Sequence, residues 1–215
     1  MRRFTLVQSA VVLATTFVAW RFAASWLVAV VGAAFLGAFV SMHAGRYTPD
    51  GRFGAANAVT ALRVGLVVAL CAYDSVGPLS SAVVVGFSAL DGLDGWIARR
   101  APATASDFGA RFDMETDALF VLAFGVKLVE VGRLGAFMIL PGVLRYAYAG
   151  GIALAPGLGE APRSRLGRFI AGIMMTSLAV SAWPLEPVFQ PLAAVATALV
   201  VFSFARSTVQ SLSRA

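Results

Sequence analysis

Apolar runs recur along the chain at 4–20, 23–42, 58–73, 79–97, 112–131, 134–154, 169–183 and 188–204. Several approach the roughly 20 residues that a helix needs to cross a bilayer. The pattern predicts eight helices. The first two runs are short or closely joined around Trp20 and Arg21, and read as a tight hairpin or an interfacial element. The stretch 45–56, with Pro49, Asp50, Gly51 and Gly54, reads as a polar connector. It divides the chain into an N-terminal pair with its connector, 1–56, and a six-helix remainder, 57–215. Backbone amides cannot stay unpaired in hydrocarbon, and no strand-like alternation suggests a barrel. The expected fold is therefore all-α, a polytopic transmembrane bundle.

Composition supports a membrane setting. Of the 215 residues, 59% are hydrophobic and only 13% charged, and the mean hydropathy is +0.82. Lys and Arg outnumber Asp and Glu by 17 to 11. In such a chain this excess marks cytoplasmic loops and contact with anionic lipid, not nucleic-acid binding. The basic residues at Arg2 and Arg3, Arg46 to Arg63, Arg99 to Arg111, Arg163 to Arg168, and Arg206 and Arg214 fall on one side of an eight-pass path. Both termini are then expected to be cytoplasmic. Trp20, Trp26 and Trp183 lie near span ends, where amphipathic rings settle. Met1, Arg2 and Arg3 before an apolar run resemble a secretory signal, but no small-x-small cleavage site follows, so an uncleaved first helix is preferred. Cys71, the single cysteine, sits in an apolar run and reads as a small core residue.

The chemistry concentrates between Asp91 and Asp117. Asp91 and Asp94 are spaced i, i+3, and Asp113 and Asp117 i, i+4, so on helices each pair projects from one face. Two facing pairs make a cage. Four carboxylates near membrane depth cost roughly 2.5 to 3.5 kcal/mol each on insertion-derived scales unless cations neutralise them. Hard oxygen donors with no His or Cys nearby favour Mg²⁺ or Mn²⁺ over Zn²⁺. Mg²⁺ completes its shell with substrate phosphate, which points to a phosphate ester or diphosphate ligand. Gly92, Gly95 and Ala98 leave room for close approach to the backbone, and Arg99 can clamp phosphate oxygens. Arg100 and Arg111 read as residues that orient the protein.

The segment from Asp91 to Arg99, followed after a spacer by Gly109, Asp113 and Asp117, resembles the signature D-x-x-D-G-x-x-A-R … G-x-x-x-D-x-x-x-D of the CDP-alcohol phosphatidyltransferase family. Every fixed letter is present. The spacer of nine residues between Arg99 and Gly109 is one longer than the commoner length. Upstream, Asn57, Thr60 and Arg63 resemble the N-x-x-T-x-x-R segment that opens the family's first core helix; read alone, they are a helix start and a snorkelling arginine.

The resemblance implies that 57–215 is a catalytic core and that Asp91, Asp94, Asp113 and Asp117 bind two Mg²⁺ or Mn²⁺ ions, with Asp117 also the general base. It implies nucleotide or CDP-lipid contacts from Asn57, Thr60, Arg63, Gly95, Ala98, Arg99 and Gly109, with Ser106 a further candidate for which Ala105 competes. The implied reaction moves a phosphatidyl group from CDP-diacylglycerol to an alcohol with release of CMP, in phospholipid biosynthesis, at the cytoplasmic side of the membrane.

For the acceptor, Arg145, Arg163, Arg165 and Arg168 offer positive charge for a phosphorylated alcohol such as glycerol phosphate or inositol phosphate, although the same residues satisfy the positive-inside rule. Ala118 stands where phosphatidylglycerophosphate synthases of the family usually carry Lys, so the motif points to no one alcohol. The N-terminal pair exceeds the minimal core and is a candidate for homodimerisation or lipid access. Lys127, the only lysine, is expected to snorkel outward, and His43 to be an interfacial histidine. Glu115 is left out of the site, since its helical phase points away from the motif aspartates. Two other classes compete: an intramembrane Mg²⁺-dependent prenyltransferase, whose aspartate motifs are spaced differently, and a transporter that concentrates carboxylates along its pathway.

Overall fold

The apolar runs become helices whose ends are set by local chemistry. The structure, a computed structural model, describes residues 2–73, 75–100, 106–155, 157–161, 164–183 and 189–213, with the side chains of 94–100 excepted. Its elements are α1 (Arg2–Phe22), α2 (Ser25–Met42), α3 (Ala55–Ala72), α4 (Pro78–Arg100), α5 (Asp107–Glu130), a 3₁₀ turn (Ala136–Ile139), α6 (Leu140–Leu154), α7 (Arg165–Ala182) and α8 (Phe189–Leu212). No strand occurs among the described residues, and the protein is an all-helical bundle.

Several helices start earlier or end later than their apolar runs. Ser106 caps α5, its Oγ accepting from the Gly109 amide at 3.0 Å, so α5 begins at Asp107. Ser164 caps α7 through the Gly167 amide at 2.9 Å and brings Arg165 and Arg168 into the helix. The run at 134–154 is divided because Pro141 lacks an amide hydrogen and is suited to a first helical turn; a 3₁₀ turn precedes it. In the connector between α2 and α3, Gly45, Gly51 and Gly54 take φ of +75°, +77° and +77°. Within it, the Thr48 hydroxyl bonded to Asp50 at 2.5 Å holds that carboxyl below the usual carboxylate range.

Five segments are long and apolar enough to cross a membrane: α1, α2, α3, Ala136–Leu154 and α8. This makes the chain an integral membrane protein. The most enclosed helix, α5, is not among them because it carries acidic and basic residues along its length. It can do so because it is surrounded by protein, packing against α1, α2, α3, α6 and α7. Leu119, Phe120, Leu122, Ala123, Phe124 and Leu128 are fully buried along it, and Phe120 stacks on Phe87 of α4 with centroids 4.1 Å apart.

Three close approaches hold α5 in place. A Cβ on Gly142 of α6 would lie 2.5 Å from Leu122 Cβ, one on Gly125 2.9 Å from the Met138 carbonyl, and one on Gly32 of α2 2.1 Å from Leu119. The first two helices form a tight hairpin through Ala23, whose φ is +51°. They pack on the rest, α1 against α6 and α2 against α5 and α3.

Lys127 does not snorkel. It is 3% exposed, and its Nζ lies 3.2 Å from Glu130 Oε1 one turn away. The other oxygen, Oε2, accepts from the Ser25 amide at 2.7 Å. Glu130 thus satisfies an orphan amide at the start of α2 while neutralising Lys127. A partner within one helical turn removes the need to reach water.

Candidate active site

Asn57, Thr60 and Arg63 recur at i, i+3 and i+6 on α3 and are all buried, at 5%, 3% and 0% exposure. Asn57 bonds the Phe53 carbonyl at 2.5 Å, and Thr60 Oγ1 lies 3.2 Å from the Ala56 carbonyl. Gly109 of α5 approaches so closely that a Cβ there would lie 2.9 Å from Asn57 Oδ1. Ser106, besides capping α5, donates to the Tyr47 carbonyl at 2.5 Å. These four residues gather where α3 meets the start of α5. Arg63 continues the α3 stripe inward.

Arg63 does not snorkel outward. Its Nη1 lies 2.6 Å from Asp113 Oδ1 and 3.4 Å from Asp91 Oδ1, its Nη2 pairs with Asp117 Oδ1, and its Cζ sits 4.3 Å from the centre of the Phe87 ring. Three carboxylates on two helices enclose a wholly buried guanidinium that rests on an aromatic face. One oxygen each from Asp91, Asp113 and Asp117 lies within 4.8 Å of the others. The structure therefore brings together three of the four expected ligands. The Asp94 side chain lies outside the described residues, as do those of Gly95, Ala98, Arg99 and Arg163.

Donor chemistry fits a divalent cation. The three groups offer hard oxygens, and no His or Cys joins them among the described residues. Among the described side chains of the cluster, three carboxylates against one guanidinium leave a formal excess of two negative charges, which a divalent ion offsets.

The carboxylates line a cavity of about 1030 Å³ bounded by α4, α5, α6, α7 and α8. Much of its wall is apolar, from Val85, Val121, Ile170, Met174, Met175 and Val200 among others, while Arg145, Glu160, Arg168 and Arg206 supply further charge. A mostly apolar cavity that also holds a metal-competent carboxylate cluster suits an amphipathic ligand with a phosphorylated head. Arg145 and Arg168 line this cavity; Arg165, exposed at the start of α7, does not. A second cavity, of about 900 Å³, lies at the start of α5 against the connector, with Arg46, Ser106, Asp107 and Arg111 in its wall. His43 lines it too, its Nδ1 2.8 Å from the Phe39 carbonyl and its ring against Phe39 and Phe108. Arg111 is tied to α1, donating to Thr5 Oγ1 at 3.2 Å.

Glu115 is a buried charged residue that phase reasoning set aside. It does point away from Asp113 and Asp117, but into protein, where its Oε1 accepts from Arg145 Nη2 at 2.6 Å. The sequence held a signal: isolated opposite charges within neighbouring apolar runs are affordable only as a pair.

These features define a polytopic membrane protein with a carboxylate cage in the wall of a mostly apolar cavity. Residues 53–205, well over half the chain, match the family model for CDP-alcohol phosphatidyltransferase, and the chain belongs to that family. No curated protein and no solved structure matches the chain. Membership makes it a transferase of the CDP-alcohol class, and the family's general dependence on divalent metal agrees with the aspartate cluster.

Proposed function

We propose that the protein transfers a phosphatidyl group from CDP-diacylglycerol to a small alcohol, releasing CMP, as a step of phospholipid biosynthesis. The observation that carries this reading is the convergence of Asp91, Asp113 and Asp117 in the wall of a large, mostly apolar cavity. Acyl chains fit the apolar wall and the diphosphate fits the carboxylate cluster once cations are bound there. The active site faces the cytoplasm on this reading, with both termini on that side, because the basic connections gather there. Residues 57–215 form the catalytic core and 1–56 an added pair, a candidate contact in a homodimer.

Asp91, Asp94, Asp113 and Asp117 would hold two Mg²⁺ or Mn²⁺ ions. Bound there, the ions supply charge neutralisation of the diphosphate and polarisation of its phosphorus–oxygen bonds. Arg63 fixes the orientation of the carboxylates through one oxygen of each of three. Asn57, Thr60, Gly95, Ala98, Arg99, Ser106 and Gly109 shape the nucleotide end. Asp117 takes the proton from the acceptor hydroxyl. The acceptor oxygen then bonds to the lipid-side phosphorus as the bond to the CMP phosphate oxygen breaks, and CMP leaves with that electron pair. Arg145 and Arg168 line the route by which an acceptor approaches.

The test is incubation of purified protein with CDP-diacylglycerol, Mg²⁺ or Mn²⁺ and a panel of alcohols, with nucleotide and lipid products followed by mass spectrometry. CMP and a new phospholipid are expected in equal amounts for one acceptor, and neither after chelation. Release of pyrophosphate from a prenyl diphosphate, with CDP-diacylglycerol untouched, would favour the prenyltransferase instead.

A further inference from the structure

Arg145 lies within an apolar helix and is 8% exposed, yet it has two carboxylate partners of different kinds. Glu115 meets Nη2 at 2.6 Å, and both side chains are about nine-tenths buried, at 10% and 9% exposure. Glu160, in the connection between α6 and α7, meets Nη1 at 3.4 Å, and its side chain is 33% exposed. Arg145 and Glu160 line the large cavity, whereas Glu115 does not. The second oxygen of Glu115 lies 3.4 Å from Gln8 Nε2 of α1, outside the family domain. Arg145 Nε is buried and has no hydrogen-bond partner among the described residues.

The two contacts differ in strength and in access. A short, dry pair is held by the bundle; breaking it strands a buried charge. A long contact to a partly exposed side chain contributes little and competes with water. The guanidinium is already balanced by Glu115, so Glu160 is a second anion on one cation. It lines the cavity, as Arg168 and Arg206 also do.

On the transferase reading above, we propose that Glu160 is an internal occupant of an anion-recognition position at Arg145. The acceptor's anionic group displaces it. Glu115, supported by Gln8 of α1, is the positioning residue that keeps the guanidinium at the cavity wall when Glu160 is displaced. The acceptor class this selects is an alcohol carrying a phosphate or another anion, and the N-terminal helix thereby serves the site rather than only anchoring the chain.

The experiment measures binding without turnover, by calorimetry on the full chain in lipid nanodiscs at fixed ionic strength. The probes are inorganic phosphate, sn-glycerol 3-phosphate and, as the uncharged control, glycerol. Glu160→Gln is expected to tighten both anionic probes by about threefold to fivefold, the scale of a partly exposed pair. Glu115→Gln, nearly isosteric, is expected to weaken them by roughly tenfold or more, and neither change moves glycerol. Glu160 is in a connecting segment, so its variant also tests the idea where Glu115→Gln fails to fold. Unchanged or weaker anion binding in Glu160→Gln, or equal effects on glycerol, overturns the proposal. A wild type that shows the anion pattern but forms no CMP from CDP-diacylglycerol keeps the anion site and removes the transferase reading; CMP formation without the pattern does the reverse.

Discussion

Asp117→Asn is expected to lower kcat by a factor of about 10² to 10⁴, the range typical of general acid–base assistance, while the protein stays folded. An amide has nearly the same shape as a carboxylate and can still accept a hydrogen bond from Arg63, but it cannot take the acceptor's proton. Arg63 keeps Asp113 at 2.6 Å and Asp91 at 3.4 Å, so the buried guanidinium is not left unpaired. Turnover of CDP-diacylglycerol by purified, metal-replete mutant, measured beside its thermal unfolding, separates the two effects. Activity near the wild-type level would remove Asp117 from the role of base, and loss of the folded state would make its role structural.

The second large effect belongs to Arg63. Arg63→Met removes the one cation found among the three carboxylates within the described residues and is expected to cost between the ~1 kcal/mol of an exposed pair and the ~3 to 5 kcal/mol of a buried one in metal-free protein, because the carboxylates left behind are 26% to 50% exposed. The carboxylates then repel one another across a gap of under 4.8 Å, beside the Phe87 ring that the guanidinium covered. A divalent cation bound in the same cage relieves that repulsion, so Mg²⁺ or Mn²⁺ should raise the unfolding temperature of the variant more than that of the wild type. Arg63→Lys, which keeps charge but loses the planar fork, should fall between them. Equal metal-free stability of Arg63→Met and wild type would mean that the guanidinium does not stabilise the cage.

Much of this architecture was legible because bilayers impose few solutions. Long apolar runs had to be helices, and glycines at 45, 51 and 54 marked the connector. The spacing of Asp113 and Asp117 put both on one helical face, and Asp91 joins them around Arg63 of α3. What spacing could not give was the pairing of charges between distant segments. Arg63 reads as a snorkelling residue until α5 supplies its carboxylates, 50 and 54 positions on. Lys127 reads the same way, although Glu130 is one turn away, because nothing local says which face of α5 is covered. Glu115 has the opposite phase from the motif aspartates and so looked irrelevant. Its importance depends on α1 and α6 packing against that face, a tertiary fact. The i, i+3, i+6 stripe of Asn57, Thr60 and Arg63 was the one local hint that α3 turns a polar face inward.

On the proposed mechanism, the aspartates hold two divalent cations side by side. Electron paramagnetic resonance of purified protein titrated with Mn²⁺, in the presence of CDP, tests it without reference to turnover. The account predicts saturable binding of two ions with the exchange coupling of a pair roughly 3.5 to 4 Å apart, lost in Asp91→Ala and Asp113→Ala. Titration that shows only weak, uncoupled Mn²⁺, the same in wild type and in both variants, would contradict it.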